Sequence, residues 1–419
     1  MSKYRILSLD GGGSWSLIQV KCLRQLFRDT FDKDDPTGHE VLNYFDLVVA
    51  NSGGSLVAAA MAENYRLSEI EEIFHTEEIR KSIFSRLSIW ERSLLNTLSR
   101  LVKLGPKYAT VRKLAALEKI LPIISKVKLH QLPAHINGAS PTHFLLVAYD
   151  YYRNRAELFR SDQNSRALSA VIERRVFSGN PAVSAIDELT LLQAVHASST
   201  APVNFFNEPA HIKMGGIERC FWDGAITGNN NPVLIAITEA WANGHNASDI
   251  QLLSIGSGGT LFPVIEKYAY RYNILMADRE DPGLISDIKK MATSIVNDPP
   301  DFATFVAYTM LFPGLPVRNQ NFIRLNPLLR PRLVPVNGIP VWDLPKGLNE
   351  KEFGTLKKLN FDALEEKEID LIGKFCDQWL AGNVPNQAIR NDFTLERVLG
   401  HDSYKQGMED FRNWDQVIA

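Results

Sequence analysis

The sequence predicts an α/β fold, a mostly parallel central sheet covered by helices on both faces, and three observations carry that expectation. Short apolar runs alternate with helix-length segments along the chain. The strand-like runs are continuously apolar rather than alternating, as strands buried on both faces are. Glycine-rich turns follow three of them, at Asp10–Gly13, Asn51–Gly54 and Gly256–Gly259. In an open parallel sheet the strand C-termini face one crevice, and ligands bind there.

The elements follow in order. Arg5–Leu9 (RILSL) is the first buried strand. Leu17 to Phe31 is a helix, with Leu17, Val20, Leu23 (or Arg24) and Phe27 on one side. Asp46–Ala50 (DLVVA) is a second strand, and Leu56–Asn64 a helical run after it. His143–Tyr149 and Ile250–Ile255 are further strands, with helices at Leu189–Ser199 and Pro232–Asn243 between them. From Asp298 to Pro345 prolines are dense, which predicts an irregular stretch. Asn349–Leu380 reads as helical. We expect a catalytic domain over residues 1–330, with a basic helical insertion at about 65–140, and a mostly helical extension over residues 331–419.

With 419 residues, 45% hydrophobic and 22% charged, the composition is that of a soluble globular protein with a large core. A net charge of −2 selects no partner class, and no nucleic-acid polymer is expected as a partner. Cys22, Cys220 and Cys376 form no CxxC pair, against a disulfide framework or a thiolate metal site. The N-terminus lacks an apolar signal segment. Phe45–Ala62 is too polar to span a bilayer, so a cytoplasmic location is expected. Lys81 to Lys128 holds eleven Lys/Arg and two acids, a local balance of +9. Within it Ile83, Leu87, Trp90, Leu94, Leu98 and Leu101 recur at helical spacing. Such a segment is either an ordinary core helix with a solvated basic face or one that lies peripherally on an anionic membrane.

The second glycine turn carries the chemistry. Ala50-Asn51-Ser52-Gly53-Gly54 places a serine between a strand and a helix, with small residues on either side. A sharp strand-to-helix turn of that kind exposes the serine hydroxyl above the sheet. A plain turn with Ser52 capping the helix is the other reading. Gly11, Gly12 and Gly13 leave their amides unobstructed at a helix N-terminus, where an oxyanion could be held. Gly11-x-Gly13-x-x-Ser16 also approaches a dinucleotide fingerprint, weakly matched by Asp29 or Asp32 as the ribose acid. A serine nucleophile needs a base. His196 and His211 lie in no recognisable triad setting. Asp223, in Phe221-Trp222-Asp223-Gly224-Ala225, is a carboxylate with apolar neighbours, and partial burial would raise its proton affinity. A simple Asp-Gly turn is the alternative.

The runs SLDGGG, FDLVVANSGGSLVAA, AVHASSTAPVNFF, WDGAITGNNNP and LLSIGSGG stand in this order. Together they resemble the patatin-like phospholipase family, over about residues 4 to 260 and the Phe322–Pro327 run. The resemblance implies a three-layer α/β fold and a Ser–Asp dyad without histidine. It makes Ser52 the nucleophile, Asp223 the base and Gly11, Gly12 and Gly13 the oxyanion donors. It implies cleavage of fatty acyl esters of membrane glycerolipids, with no metal and no cofactor. The implied partners are a phospholipid membrane surface and a small-molecule or protein activator, and a homo-oligomer is compatible with it. An acyltransferase on the same scaffold, and a catalytically dead lipid- or nucleotide-binding module, are the alternatives. Two departures stand out: Ser14-Trp15-Ser16 where the family often has an arginine, and Ala50 and Ser55 where its elbow has glycines.

Overall fold

The computed structural model describes residues 3–88, 91, 105–138, 141–162, 189–203, 205–214, 217–262, 269–277, 281–389 and 398–415. Its centre is an eight-stranded sheet. The strands are β1 (Tyr4–Leu9), β2 (Leu47–Ala50), β3 (His143–Asp150), β4 (Arg155–Arg160), β5 (Ala210–Met214), β6 (Ile217–Asp223), β7 (Ile250–Ile255) and β8 (Phe322–Leu325). Pairing is parallel from β8 through β7, β1 and β2 to β3. Beyond β3 it is antiparallel.

Alternate residues of the central strands enter two separate apolar layers. Leu7 and Leu9 of β1, Val48 of β2 and Phe144 of β3 face one layer. Ile6, Leu47, Val49 and Leu145 face the other. The first layer is closed by α1 (Leu17–Phe31), α2 (Ser52–Ala62), α3 (Leu67–His75), α4 (Glu77–Ile83), α5 (Thr110–Ile120) and α6 (Leu191–Ser198). The second is closed by α7 (Val233–Ala242) and α8 (Leu284–Leu311), through Ala236, Ile237, Ala240, Ala307, Tyr308 and Leu311. This is the three-layer α/β arrangement the sequence predicts.

The proline-dense stretch differs from expectation. Pro299 and Pro300 lie inside α8 rather than in an irregular segment. A proline in a helix interior costs about 3 kcal/mol. Here the apolar face of α8 is buried on the sheet, and the Pro300 carbonyl accepts from Thr304 Oγ1 (2.9 Å) and Asn231 Nδ2 (3.2 Å). Tertiary packing outweighs the local penalty. Downstream come a hairpin, β9 (Arg332–Val336) and β10 (Ile339–Asp343), and helices α9 (Glu350–Lys358), α10 (Glu366–Leu380) and α11 (Tyr404–Arg412). The expected helical stretch 349–380 is thus two helices, split by residues 359–365. Phe353, Phe375, Trp379, Phe411 and Trp414 share one apolar cluster with Leu7 and Val48 of the sheet. Of the basic amphipathic segment, Ile83 and Leu87 are buried, whereas Trp90, Leu94, Leu98 and Leu101 lie outside the described residues.

One topological detail positions the site. β2 pairs with the first half of β3, ending at Ala50 opposite Leu146. β6 runs antiparallel to the second half of β3, ending at Asp223 opposite Ala148. Strand β4 overlaps both halves, so it occupies the other edge of β3. β2 and β6 therefore meet head to head along one edge, and the residues that follow their C-termini converge.

Candidate active site

Ser52 is the first residue of α2 and follows an extended Asn51. Its φ is 49°, in the left-handed region, where a side chain costs about 1–2 kcal/mol. Neighbouring bonds hold it there. Its N–H donates to Ser198 Oγ at 3.1 Å, and its carbonyl accepts from Ser55 Oγ at 2.5 Å. The turn packs so closely on the end of β1 that a Cβ on Gly54 would lie 2.6 Å from the carbonyl oxygens of Leu9 and Asp10. Glycine is therefore obligatory two residues after the serine. Ala50 is fully buried, and its methyl is accommodated where the usual elbow has glycine.

Asp223 ends β6 and is only 2% exposed. Its Oδ1 accepts from the Ala225 N–H (2.9 Å) and from Asn51 Nδ2 (3.3 Å). Burial raises its pKa above the ordinary carboxylate value; the neighbouring Ser52 hydroxyl, the Ala225 amide, the Lys113 charge and Asn51 oppose that rise. Gly224 keeps the approach open, since a Cβ there would sit 2.4 Å from Asn51 Oδ1.

The first glycine turn lies against this pair. A Cβ on Gly11 would come within 2.9 Å of Ser52 Cβ. The Gly11 N–H donates to the Asn230 carbonyl at 2.8 Å. Among the described residues, no acceptor engages the amides of Gly12 and Gly13. The third turn supports the first, because Ser257 Oγ donates to the Gly11 carbonyl at 2.7 Å. Asp10, ahead of the glycines, is buried and held by both Nη atoms of Arg324 at 2.9 and 2.6 Å. Burial raises the Asp10 pKa, against the Arg324 charge.

A strap from the C-terminal portion crosses the same loop. The carbonyl of Phe361 accepts from the Ser14 N–H (2.9 Å), that of Ala363 from Ser14 Oγ (2.8 Å), and that of Asn360 from Trp15 Nε1 (3.2 Å). Asp362 Oδ2 accepts from Tyr108 OH (2.6 Å) and Lys107 Nζ (2.9 Å). Ser14 and Trp15 are where the sequence departs from the DGGG-x-Arg pattern, and here they tether the strap. Beside Gly13 and Ser14 opens an apolar cleft of about 50 Å³, lined by Leu56 and Ala60 of α2, Ile70, Ile73 and Phe74 of α3, and Leu117 of α5 among others.

Neither histidine considered as a base reaches the pair. His196 is buried in α6 with its Nδ1 unpartnered among the described residues, and burial holds its pKa well below normal. His211 pairs with Glu218 on β6. Sequence reasoning missed Asn51, Ser198, Asn230 and Lys113. Asn51, Ser198 and Asn230 stood inside quoted motifs, whereas nothing local marks Lys113. Among the described residues no group of three or more His, Cys, Asp or Glu is arranged to hold a metal, and no helix is long and apolar enough to cross a membrane.

A three-layer α/β sheet carrying a serine on a strained strand-to-helix turn, near a buried aspartate, shares the turn geometry of a lipase-type elbow. The patatin-like phospholipase family model matches residues 7–237, more than half of the chain, and the chain belongs to that family. Two cGAMP-activated phospholipases are similar in sequence. The one from Vibrio cholerae serotype O1 is 33% identical over 76 residues, 18% of this chain and 21% of its own length. The one from Escherichia coli is 23% identical over 268 residues, 61% of this chain and 63% of its own length. The chain thus spans less than two thirds of either relative. Among solved structures, VipD from Legionella pneumophila aligns over 100% of this chain and 75% of its own, at 11% identity and a TM-score of 0.33.

Proposed function

We propose that the protein is a serine acyl hydrolase cleaving fatty acyl esters of membrane glycerolipids, with Ser52 as nucleophile and Asp223 as base. The observation that carries this reading is the convergence of the elbow on the buried Asp223 carboxylate, whose Oδ1 accepts at 3.3 Å from Nδ2 of Asn51, the residue before Ser52. Asp223 takes the Ser52 proton as Oγ attacks the ester carbonyl. The amides of Gly12 and Gly13 bind the oxyanion, while the committed amide of Gly11 fixes the loop. The proton then passes from Asp223 to the leaving alcohol. Water, deprotonated by the same carboxylate, releases the fatty acid and restores the serine. The apolar cleft beside Gly13 suits an acyl chain, and a basic surface near a membrane would favour anionic head groups. The names of the two curated relatives add a small-molecule activator, cGAMP or a compound of its kind, to the proposal.

The test is direct. Ser52→Ala should lose both hydrolysis of phospholipid vesicles and labelling by a fluorophosphonate. Asp223→Asn should reduce hydrolysis by about a thousandfold, within the range for loss of a general base. Assays run with and without cGAMP separate an inactive enzyme from one awaiting its activator. Adding lysolipid as acceptor separates hydrolysis from acyl transfer. Normal fluorophosphonate labelling of Ser52→Ala would refute the assignment.

A further inference from the structure

Among the described members of the basic run, Lys113 is the one whose ammonium group the fold takes inside. It sits on α5 in line with Ala116 and Leu117, on the stripe that faces the core, and is 1% exposed. Arg112 and Lys119, on the same helix, point to solvent. A lysine on an apolar stripe normally reaches outward to keep its head wet. Lys113 does not. Its Nζ donates to Thr200 Oγ1 at 3.0 Å and to the His196 carbonyl at 3.3 Å, and it stands 4.8 Å from the centre of the Phe206 ring. Among the described residues, no carboxylate pairs with it directly.

Neutral acceptors alone are a poor return for burying an ammonium ion, which costs several kcal/mol. The compensation lies one residue further on. Thr200 links the two sites, since its hydroxyl binds Nζ and its carbonyl accepts from the Asp223 N–H at 2.8 Å. We infer that Lys113 is a positioning residue for Asp223: a buried cation that, through Thr200, holds the end of β6 in place and keeps the carboxylate ionised. Among the described residues, His196 on α6 is the titratable group that faces Lys113, while the Ser52 hydroxyl and the Asn51 amide face Asp223 from the elbow. Burial pulls Lys113 well below the ordinary lysine value, and Asp223 is the charge that opposes this. Burial pushes Asp223 up, and among the described residues Lys113 is the charged side chain opposing it.

This inference rests on Asp223 acting as the base for Ser52, and the experiment keeps the two apart. The rate of Ser52 labelling by a fluorophosphonate is measured against pH for the wild type, Lys113→Met and Lys113→Arg, with near-ultraviolet circular dichroism to show that each is folded. Removing the cation raises the proton affinity of Asp223, so the acid limb of Lys113→Met should move up by about one pH unit. Lys113→Arg should return it towards the wild type. A folded Lys113→Met with the wild-type limb would overturn the inference. If Lys113→Met does not fold, Thr200→Val removes the hydroxyl that holds Nζ while keeping the backbone link to Asp223. The limb should again move up, and an unmoved limb in folded Thr200→Val would overturn the inference equally. Asp223→Asn that labels like the wild type would instead remove the Ser52–Asp223 reading itself.

Discussion

Gly54 shows how little freedom individual residues have at this site. Its would-be Cβ meets two backbone oxygens, which cannot rotate away as a side chain could. Gly54→Ala should therefore lower stability by about 1–3 kcal/mol in urea unfolding, as overpacking does. Arg324 is a second sensitive position, because it alone neutralises buried Asp10. Arg324→Met strands that charge and should cost about 3–5 kcal/mol at neutral pH. The pH dependence has a definite sign. Without Arg324 nothing opposes the burial that raises the Asp10 pKa in the folded protein. The penalty then grows as pH rises through the unfolded carboxylate value, and it shrinks in acid, where Asp10 is protonated. Unfolding curves at acid and neutral pH check this. The same sign applies to Asp223, whose folded pKa is also raised.

At the level of elements, β1, β2, β3 and β7 were legible, whereas β8 at the parallel edge and the antiparallel strands were not. β1, β2, β3 and β7 are unbroken apolar runs, because both their faces are covered. β5 alternates buried and exposed residues, and β4 and the start of β6 carry charge, so neither the composition nor the period matched the buried strands. The strap over residues 360–364 was invisible for another reason. Its role lies in main-chain carbonyls, which every sequence has. Asp362→Ala removes the carboxylate that accepts from Tyr108 OH and Lys107 Nζ and should cost about 1–3 kcal/mol, read by thermal or urea unfolding. The cleft beside α2 gives a separate prediction. Ala60→Phe should fill it and slow cleavage of long acyl esters about tenfold relative to short ones, measured on a chain-length series.

For the whole molecule, five short motifs spread over some 250 residues converge on one crevice because the sheet brings its strand ends together. Each motif alone was ambiguous: Ser52 could have been a cap, and Asp223 a turn. What brings the two together is the end-to-end meeting of β2 and β6 on one edge of β3, a relation that exists only in three dimensions. The strap has a consequence in time as well as in space. The loop that would receive the oxyanion is tethered through Ser14 and Trp15 to residues synthesised more than three hundred positions later. A nascent chain that has already produced the serine, the aspartate and the entire family-matched region still lacks those tethers. Completion of the loop is thereby linked to translation of the distal segment, and an interrupted product carries the reactive groups without the frame that aligns them.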